Sequence, residues 1–197
     1  MRCFRYFSDF LHFENTQNFV NAYSKKLIHH CGSAEAVFLS KNTTLAKIEG
    51  IGKSLLKNLQ DKSVFEKAEK EIQFIEKENI QTLYFQEENY PNRLQNCFDS
   101  PVLLFQSGNI DLSNRKIISI VGTRQITSYG SAITQKLIED IAPLNPIIVS
   151  GFAYGVDIHA HQVAMDYGLQ TIGVLAHGLN QIYPKNHKKY IAKMEEN

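Results

Sequence analysis

Glycine, hydroxyl-bearing and cationic residues follow directly after short apolar runs at two turns of this sequence. The first turn carries Gly122, Thr123 and Arg124, and the second carries Ser150 and Gly151. Glycine lets a backbone approach a ligand closely, and the amide groups at the start of a following helix attract anions. An arginine guanidinium adds a bidentate contact to the same phosphate oxygens. These residue types therefore predict an anion site, with Arg124 as its cationic side chain.

A basic run supplies further cations after the third apolar stretch. Residues 183–193 contain Lys185, Lys188 and two further lysines, with no acid among them. Several phosphate positions along one crevice favour a strand of nucleic acid over a single mononucleotide. The alternative is that the glycines serve only as tight turns and the lysines form a solvated face. The pattern alone leaves both interpretations open.

Aromatic residues lie close to the same turns. We predict that Tyr129 and Tyr183 stack on bases, an interaction that tolerates any sequence because every base has a π-face. Phe152, by contrast, is expected to pack beside the sheet. The predicted mode of binding is therefore backbone charge with some stacking and little discrimination between bases.

Other kinds of chemistry find little support. The dinucleotide fingerprint G-x-G-x-x-G and the phosphate loop G-x-x-x-x-G-K-[ST] are both absent from the first turn. On a helix Asp157 and His161 share a face while His159 points elsewhere, and one pair does not make a metal site. Ser150 has no acid placed to complete a relay with His161, so no catalytic residue, metal or cofactor is predicted. We expect Asp157 to cap the helix that begins near Gly155, and His161 to pack beneath the crevice.

The elements that must position these residues alternate in type. Short β-branched runs at 116–122, 146–151 and 170–176 predict strands, and the segments 128–142, 156–168 and 184–194 predict helices. This alternation is typical of parallel strands buried on both faces, whose carboxyl ends meet at one edge. The predicted fold is α/β, with a Rossmann-like sheet domain at 81–197 that is incomplete at its C-terminus.

The first part of the chain has a different pattern. Residues 1–80 are helical in pattern and contain no proline, and at 45–60 a Gly50-Ile51-Gly52 turn interrupts the helical spacing. This predicts a helix-hairpin-helix-like domain at 1–80, whose turn either contacts a phosphate or is purely structural. Residues 64–80 predict an amphipathic helix, and residues 81–115 predict lead-in strands.

Composition bounds the possible partners. The 197 residues carry a net charge of only +1, so any polyanion site must be a local patch. Cys3, Cys31 and Cys97 are widely spaced and odd in number, which argues against a disulfide scaffold and for a cytoplasmic protein. No apolar run is long enough to cross a membrane.

Three linked motifs resemble the DNA-processing protein A family, known as DprA or Smf. They are IVGTR…SYG at 120–130, IVSGFAYGVDIHAH at 148–161 and TIGVLAHGLNQIYPKNHK at 171–188, preceded by YPNRL at 90–94 and SPVLLFQSGN at 100–109. The resemblance covers residues 81–194, and the first 45 residues match poorly. It implies a cytoplasmic bacterial protein that binds single-stranded DNA, protects incoming strands during natural transformation and loads the RecA recombinase. It also implies a homodimer in the full-length protein.

The resemblance assigns roles to individual residues. The pocket arginine of the family falls on Arg124, and the basic residue after the Tyr-Pro motif falls on Lys185 or Lys188, beside Asn186 of the same motif. Backbone contacts to phosphate fall on Gly122, Thr123, Ser150 and Gly151. Gly155, Asp157 and His161 fall on a structural signature near the pocket.

The alternative function is a Rossmann-like nucleotide hydrolase of the nucleoside monophosphate phosphoribohydrolase type. Such an enzyme shares the topology but carries a PGGxGT motif, which these 197 residues lack.

Overall fold

A computed structural model of the protein describes residues 20–59, 63–110, 112 and 115–196. Predictions for residues 1–19 and 60–62 lie outside these residues, including Cys3, the start of the helical region and the end of the 45–60 hairpin. The chain divides into two compact units, Met1–Gln106 and Ser107–Asn197. The division into domains after residue 80 stays a prediction.

The first unit contains short helices and one antiparallel pair of strands. Its helices are α1 (Val20–Cys31), α2 (Ala34–Leu39), α3 (Asn42–Leu45), α4 (Lys53–Asn58), α5 (Ser63–Lys77) and α6 (Asn92–Gln95), and its strands are β1 (Gln81–Tyr84) and β2 (Leu103–Gln106). The strands pair with Thr82 opposite Phe105. Apolar side chains from the helices form one core, in which Leu27, Ile28 and Val37 are almost fully buried.

The predicted hairpin joins α3 to α4 in this unit. Gly50 has a φ of +89°, and a Cβ added there would lie 2.6 Å from Cε1 of Tyr23. Only glycine therefore fits both the backbone conformation and the space. Ile48, just before the turn, and Ile51, within it, are both buried, so the hairpin is held by packing into the core.

The second unit alternates strands and helices. It contains β3 (Ile117–Ser119), α7 (Ser128–Ile141), β4 (Ile147–Gly151), α8 (Val156–Asp166), β5 (Thr171–Val174) and α9 (Lys188–Glu196), with short 3-10 helices at Ala142–Leu144 and Lys185–His187. The strands are parallel in the order β3-β4-β5. The carboxyl ends of all three strands therefore lie at one edge of the sheet.

Helix α7 packs against α8, and α8 packs against β4 and β5. Ile138, Ile148, Ala160 and Ala164 have no exposed surface and form the centre of this core. Burial of such side chains contributes most of the stabilisation available to the unit, because each removes apolar surface from water. The strand ends are thus supported by the packed helices α7 and α8.

Helix bounds differ slightly from the prediction, for local reasons. Helix α8 ends at Asp166 because Gly168, with a φ of +69°, turns the chain. The last helix begins at Lys188 and not at 184, since Pro184 is extended and a 3-10 turn follows it. Across the described parts of both units, no helix is long and apolar enough to cross a membrane.

Candidate nucleic-acid interface

The turn after β3 is packed onto the start of α8. The amide of Val156 donates to the carbonyl oxygen of Thr123 at 3.1 Å. A Cβ added at Gly122 would lie 2.6 Å from Cγ2 of Val156, and one added at Gly155 would overlap the Thr123 oxygen. Gly155 also has a φ of +83°. Both glycines are therefore required where these two segments touch.

Arg124 projects from this packed turn into solvent. The residue is exposed, and among the described residues no carboxylate or carbonyl pairs with its guanidinium. Its neighbour Thr123 accepts a hydrogen bond from the Gln125 amide at 3.1 Å, which shapes the turn locally. The backbone that carries the cation is thus held, while the guanidinium itself is available to a ligand.

Helix α7 begins a few residues after Arg124 with its first amides open. Thr127 caps the helix by accepting a hydrogen bond from the Gly130 amide at 3.1 Å. The amides of Ser128 and Tyr129, both exposed residues, have no acceptor within the helix. This end of a 14-residue helix therefore presents amide groups and partial positive charge beside Arg124.

The start of α8 differs from the prediction. Gly155 occupies the N-cap position, and no side chain caps the helix. The prediction that Asp157 caps it is therefore wrong, because Asp157 lies in the first turn, where a Cβ added at Gly151 would overlap its carboxylate. That negative charge and the bonded Val156 amide make this helix start a poor site for phosphate.

Ser150 and His161 belong to the interior of the sheet edge. The Ser150 hydroxyl is buried and donates to the Ile120 carbonyl at 2.5 Å. Any contact from Ser150 to phosphate would have to come from its main chain. His161, fully buried, has Nε2 2.7 Å from the Gly151 carbonyl and Nδ1 2.6 Å from Oγ1 of Thr171.

Burial lowers the pKa of His161, because an imidazolium loses its hydration there; the hydrogen bond to the Gly151 carbonyl and the Asp157 carboxylate act in the opposite sense. Since Nε2 must donate to the Gly151 carbonyl, Nδ1 of the neutral ring carries no proton. The Thr171 hydroxyl lies between this Nδ1 and the Ile148 carbonyl, 2.9 Å away, and its one proton serves one of these two acceptors. His161 therefore supports the end of β4 from below.

A second buried histidine holds the basic run at the same edge of the sheet. His187 is buried, and its Nδ1 donates to the carbonyl oxygen of Phe152 at 2.9 Å. Its ring also packs edge-on against Phe152 and Tyr154, with centroids 5.4 and 4.9 Å apart. Nothing in the sequence distinguished His187 from the exposed cations around it, so sequence reasoning missed this contact.

The hydrogen bonds of these two buried histidines explain where the predicted site residues lie. Lys185, Asn186 and Lys188 flank His187 and are exposed. Phe152 is 8% exposed and packs beside the sheet, as predicted, whereas Tyr129 and Tyr183 are 77% and 67% exposed. The structure thus leaves both predicted stacking rings open to solvent.

The metal interpretation of residues 157–161 is not favoured by the side-chain positions. Nε2 of His159 lies 3.0 Å from the Ser131 hydroxyl, on the side of α8 that faces α7. His161 points beneath the sheet edge instead. Within the described part of the chain, no group of three or more His, Cys, Asp or Glu residues is arranged to hold a metal ion.

A parallel sheet with glycine turns at its strand ends is the architecture of Rossmann-like α/β proteins, which hold phosphate-bearing ligands at that edge. Residues 81–197 match the family of DNA recombination-mediator protein A, and this chain belongs to that family. The predicted resemblance to DprA and Smf proteins is confirmed, as is the Rossmann-like α/β fold.

Individual relatives show the extent of the likeness. The DNA processing protein DprA of Streptococcus pneumoniae is 39% identical over 100 residues, which cover 51% of this chain and 35% of that protein. The protein Smf of Synechocystis sp. is 30% identical over 174 residues, covering 84% of this chain and 42% of the relative. The chain therefore spans well under half the length of these curated relatives.

Solved structures of DprA proteins are also similar to the chain. The X-ray structure of DprA from S. pneumoniae has a TM-score of 0.66 at 26% identity, covering 98% of this chain and 63% of that one. DprA from Helicobacter pylori, whose structure concerns its single-stranded DNA binding mode, has a TM-score of 0.51 at 33% identity. That match covers 59% of this chain and 51% of the H. pylori chain.

Replacing Gly155 by alanine should destabilise the second unit and disorder the Arg124 turn. A left-handed backbone costs a non-glycine residue roughly 1–2 kcal/mol, and the added Cβ would also collide with the Thr123 carbonyl. Gly168→Ala is the matched control, because Gly168 has a φ of +69° but no atom within 4 Å of an added Cβ. Urea unfolding should show a clearly larger loss for Gly155→Ala; equal losses would contradict the packing described here.

The lowered pKa of His161 makes stability depend on pH. The unfolded chain takes up the proton near pH 6.5, before the folded protein does, so this contribution is complete above about pH 6.5. It is lost as the pH falls below that value, by up to about 1.4 kcal/mol per pH unit. The urea midpoint measured between pH 7 and 5 should fall less steeply in His161→Gln than in the parent chain. His30→Gln, at an exposed position, should keep the parental slope, and an unchanged slope in His161→Gln would contradict the assignment.

Proposed function

We propose that this chain binds single-stranded DNA at the carboxyl edge of its parallel sheet, without chemistry, as part of a DNA-processing protein. The observation that carries the proposal is Arg124, an exposed guanidinium on a turn held by Gly122 and Gly155, beside the open first amides of α7. A cation and amide groups converging on one place suit a phosphate oxygen. Membership of the DNA recombination-mediator protein A family supports the nature of the polymer.

The proposed contacts divide into three kinds. Arg124 and the exposed cations of the basic run neutralise phosphates, and amides of the turns and of α7 position the backbone. Exposed rings stack on bases. The proposed set is Gly122, Thr123, Arg124, Gly151, Lys185, Asn186 and Lys188, with Tyr129 and Tyr183 as stacking residues. Ser150 contributes through its main chain, since its hydroxyl is bonded to Ile120.

Single strands suit this edge better than duplexes because the tyrosines require unpaired bases. Stacking contributes roughly 1–3 kcal/mol per base and tolerates any sequence. Phosphate contacts add a term that weakens as salt displaces bound counterions. The binding is therefore sequence-tolerant and salt-sensitive.

The roles of the whole protein extend this proposal. Protection of incoming strands during transformation, loading of RecA and assembly as a homodimer follow from the family resemblance. Because the chain spans only 35% and 42% of two curated relatives, these roles are proposed for the complete protein. The DprA structure from H. pylori supports the single-stranded ligand, because it was determined for its single-stranded DNA binding mode.

Replacing Arg124 by alanine should weaken binding of an oligothymidine about 10- to 100-fold, the loss expected when a charged hydrogen bond worth about 1.5–3 kcal/mol is removed. Fluorescence anisotropy of the labelled strand measures the affinity. Lys116→Ala is the matched control, because Lys116 is exposed at the amino end of β3, the opposite edge of the sheet. Equal affinities of Arg124→Ala and Lys116→Ala would remove Arg124 from the interface.

The proposal that the chain binds DNA without catalysing a reaction is testable with nucleoside monophosphates, the substrates of the alternative function. Incubation with nucleoside monophosphates should release no free base, since Ser150 and His161 are each hydrogen-bonded to other groups and do not form a nucleophile–base pair. Chromatography of the products measures release against a buffer blank. Release that disappears in an Arg124→Ala variant would instead assign the edge to a nucleotide hydrolase.

A further inference from the structure

A groove of about 860 Å³ lies between α8 and α9, beside α7. Its floor is formed by Val163, Met165 and the ring of Tyr190, and its walls carry polar side chains from three helices. None of the residues assigned to the strand-end interface lines it. The groove is therefore a second concave surface of the same unit.

Lysines line the α9 wall of the groove. Lys189 and Lys193 are one helical turn apart on the same face of α9, and both are exposed. The Lys189 ammonium lies 5.0 Å from the centroid of the Tyr190 ring, which fixes a cation beside an aromatic surface. Read along the sequence, all four lysines of residues 183–193 formed one basic run. In the fold only Lys189 and Lys193 reach this groove.

The opposite wall carries polar side chains from α7 and α8. His159, Gln162 and Gln135 line it, and the Gln162 amide donates to the Tyr190 hydroxyl across the groove floor. Tyr167, 40% exposed, supplies a second ring. Cations, amides and aromatic rings together match a polymer of phosphates and bases, which can place its phosphates on the lysines and its bases on the rings.

The two helices that line the groove both begin near the strand-end interface. Helix α9 follows directly on the 3-10 turn whose His187 is bonded to the Phe152 carbonyl, and α8 starts at the glycine that touches Thr123. Along both helices, the groove therefore runs away from the carboxyl edge of the sheet. We propose that the groove holds the continuation of a DNA strand whose first nucleotides occupy the strand-end interface, with phosphates on Lys189 and Lys193. This inference rests on the function proposed above.

An acid stands at the far end of the groove. The Asp166 carboxylate lies 3.4 Å from the Lys193 ammonium, and both side chains are more than half exposed. A phosphate on Lys193 must compete with this carboxylate. Removal of the Asp166 carboxylate should therefore raise the affinity for the strand, whereas removal of a lysine should lower it.

A length series of oligothymidines, from about 4 to about 16 nucleotides, tests the inference in fluorescence anisotropy with the 197-residue chain. In the parent chain affinity should keep rising after the strand-end interface is filled. The Lys189→Gln/Lys193→Gln double variant should bind the shortest strand as the parent does, and the longest roughly tenfold more weakly. Its salt slope for the longest strand should fall by about 1.4, the value for two phosphate contacts of a single strand.

Control variants distinguish the effect of the groove lysines from the effect of the net charge. Lys116→Gln/Lys136→Gln removes the same two charges, at the amino edge of the sheet and from the exposed pair with Asp140 on α7, and should leave every length unaffected. Asp166→Asn should tighten only the longer strands, by roughly twofold to fivefold. Equal effects of the two double variants, or a groove variant that weakens all lengths alike, would overturn the inference.

The outcomes also distinguish this inference from the function on which it rests. If Arg124→Ala weakens all lengths while the groove variant changes none, the strand-end interface stands and the groove is not part of the path. If the parent chain binds no oligothymidine of any length, the proposed function and the groove fall together.

Discussion

The hydrogen bond from the Val156 amide to the Thr123 carbonyl joins the end of β3 to the start of α8, and the arrangement of the strand-end edge depends on it. The bond is only as short as it is because Gly122 and Gly155 leave no side chain between the segments. Val156 is partly buried, and a hydrogen bond of this kind contributes about 0.5–1.5 kcal/mol. This bond and the close contacts of the two glycines hold the turn in the conformation that directs Arg124 into solvent.

Comparable hydrogen bonds hold the chain just after the end of β4. His187, from the middle of a basic run, is buried against Phe152 and Tyr154 and donates to a main-chain carbonyl. His161, beneath the end of β4, bonds the Gly151 carbonyl. Two buried imidazoles thus satisfy carbonyl groups where β4 ends, at the points where a parallel sheet runs out of partners. The exposed lysines gain their positions from these buried neighbours.

Charge at this edge is a matter of placement and not of composition. The chain carries a net charge of only +1, yet Arg124 and the lysines that flank His187 lie on elements tied to one edge. The carboxylate of Asp157 occupies the start of α8, so the two helix starts differ in sign although both follow a glycine turn. A ligand with several phosphates would meet the start of α7, Arg124 and the basic run, and would avoid the start of α8.

Much of this was present in the sequence because it depends on local rules. The alternation of β-branched runs with helical spacing predicted the parallel sheet and its carboxyl edge, and each glycine turn was predicted where a strand meets a helix. The three linked motifs predicted the family, which the comparisons confirm. These features follow from the period of the chain and from the backbone freedom of single residues.

Contacts between distant residues were decided only by the tertiary structure. Asp157 had the right residue type and position for a cap, but Gly155 became the N-cap because its backbone packs on Thr123. His187 was not singled out by its sequence context, and packing buried it. Lys189 and Lys193 line the groove beside α8, whereas Lys185 does not. The sequence by itself determined the elements, the edge and the family, since these arise from neighbouring residues. The fold alone decided which side chains are buried, bonded or free, because that depends on what the rest of the chain places against them.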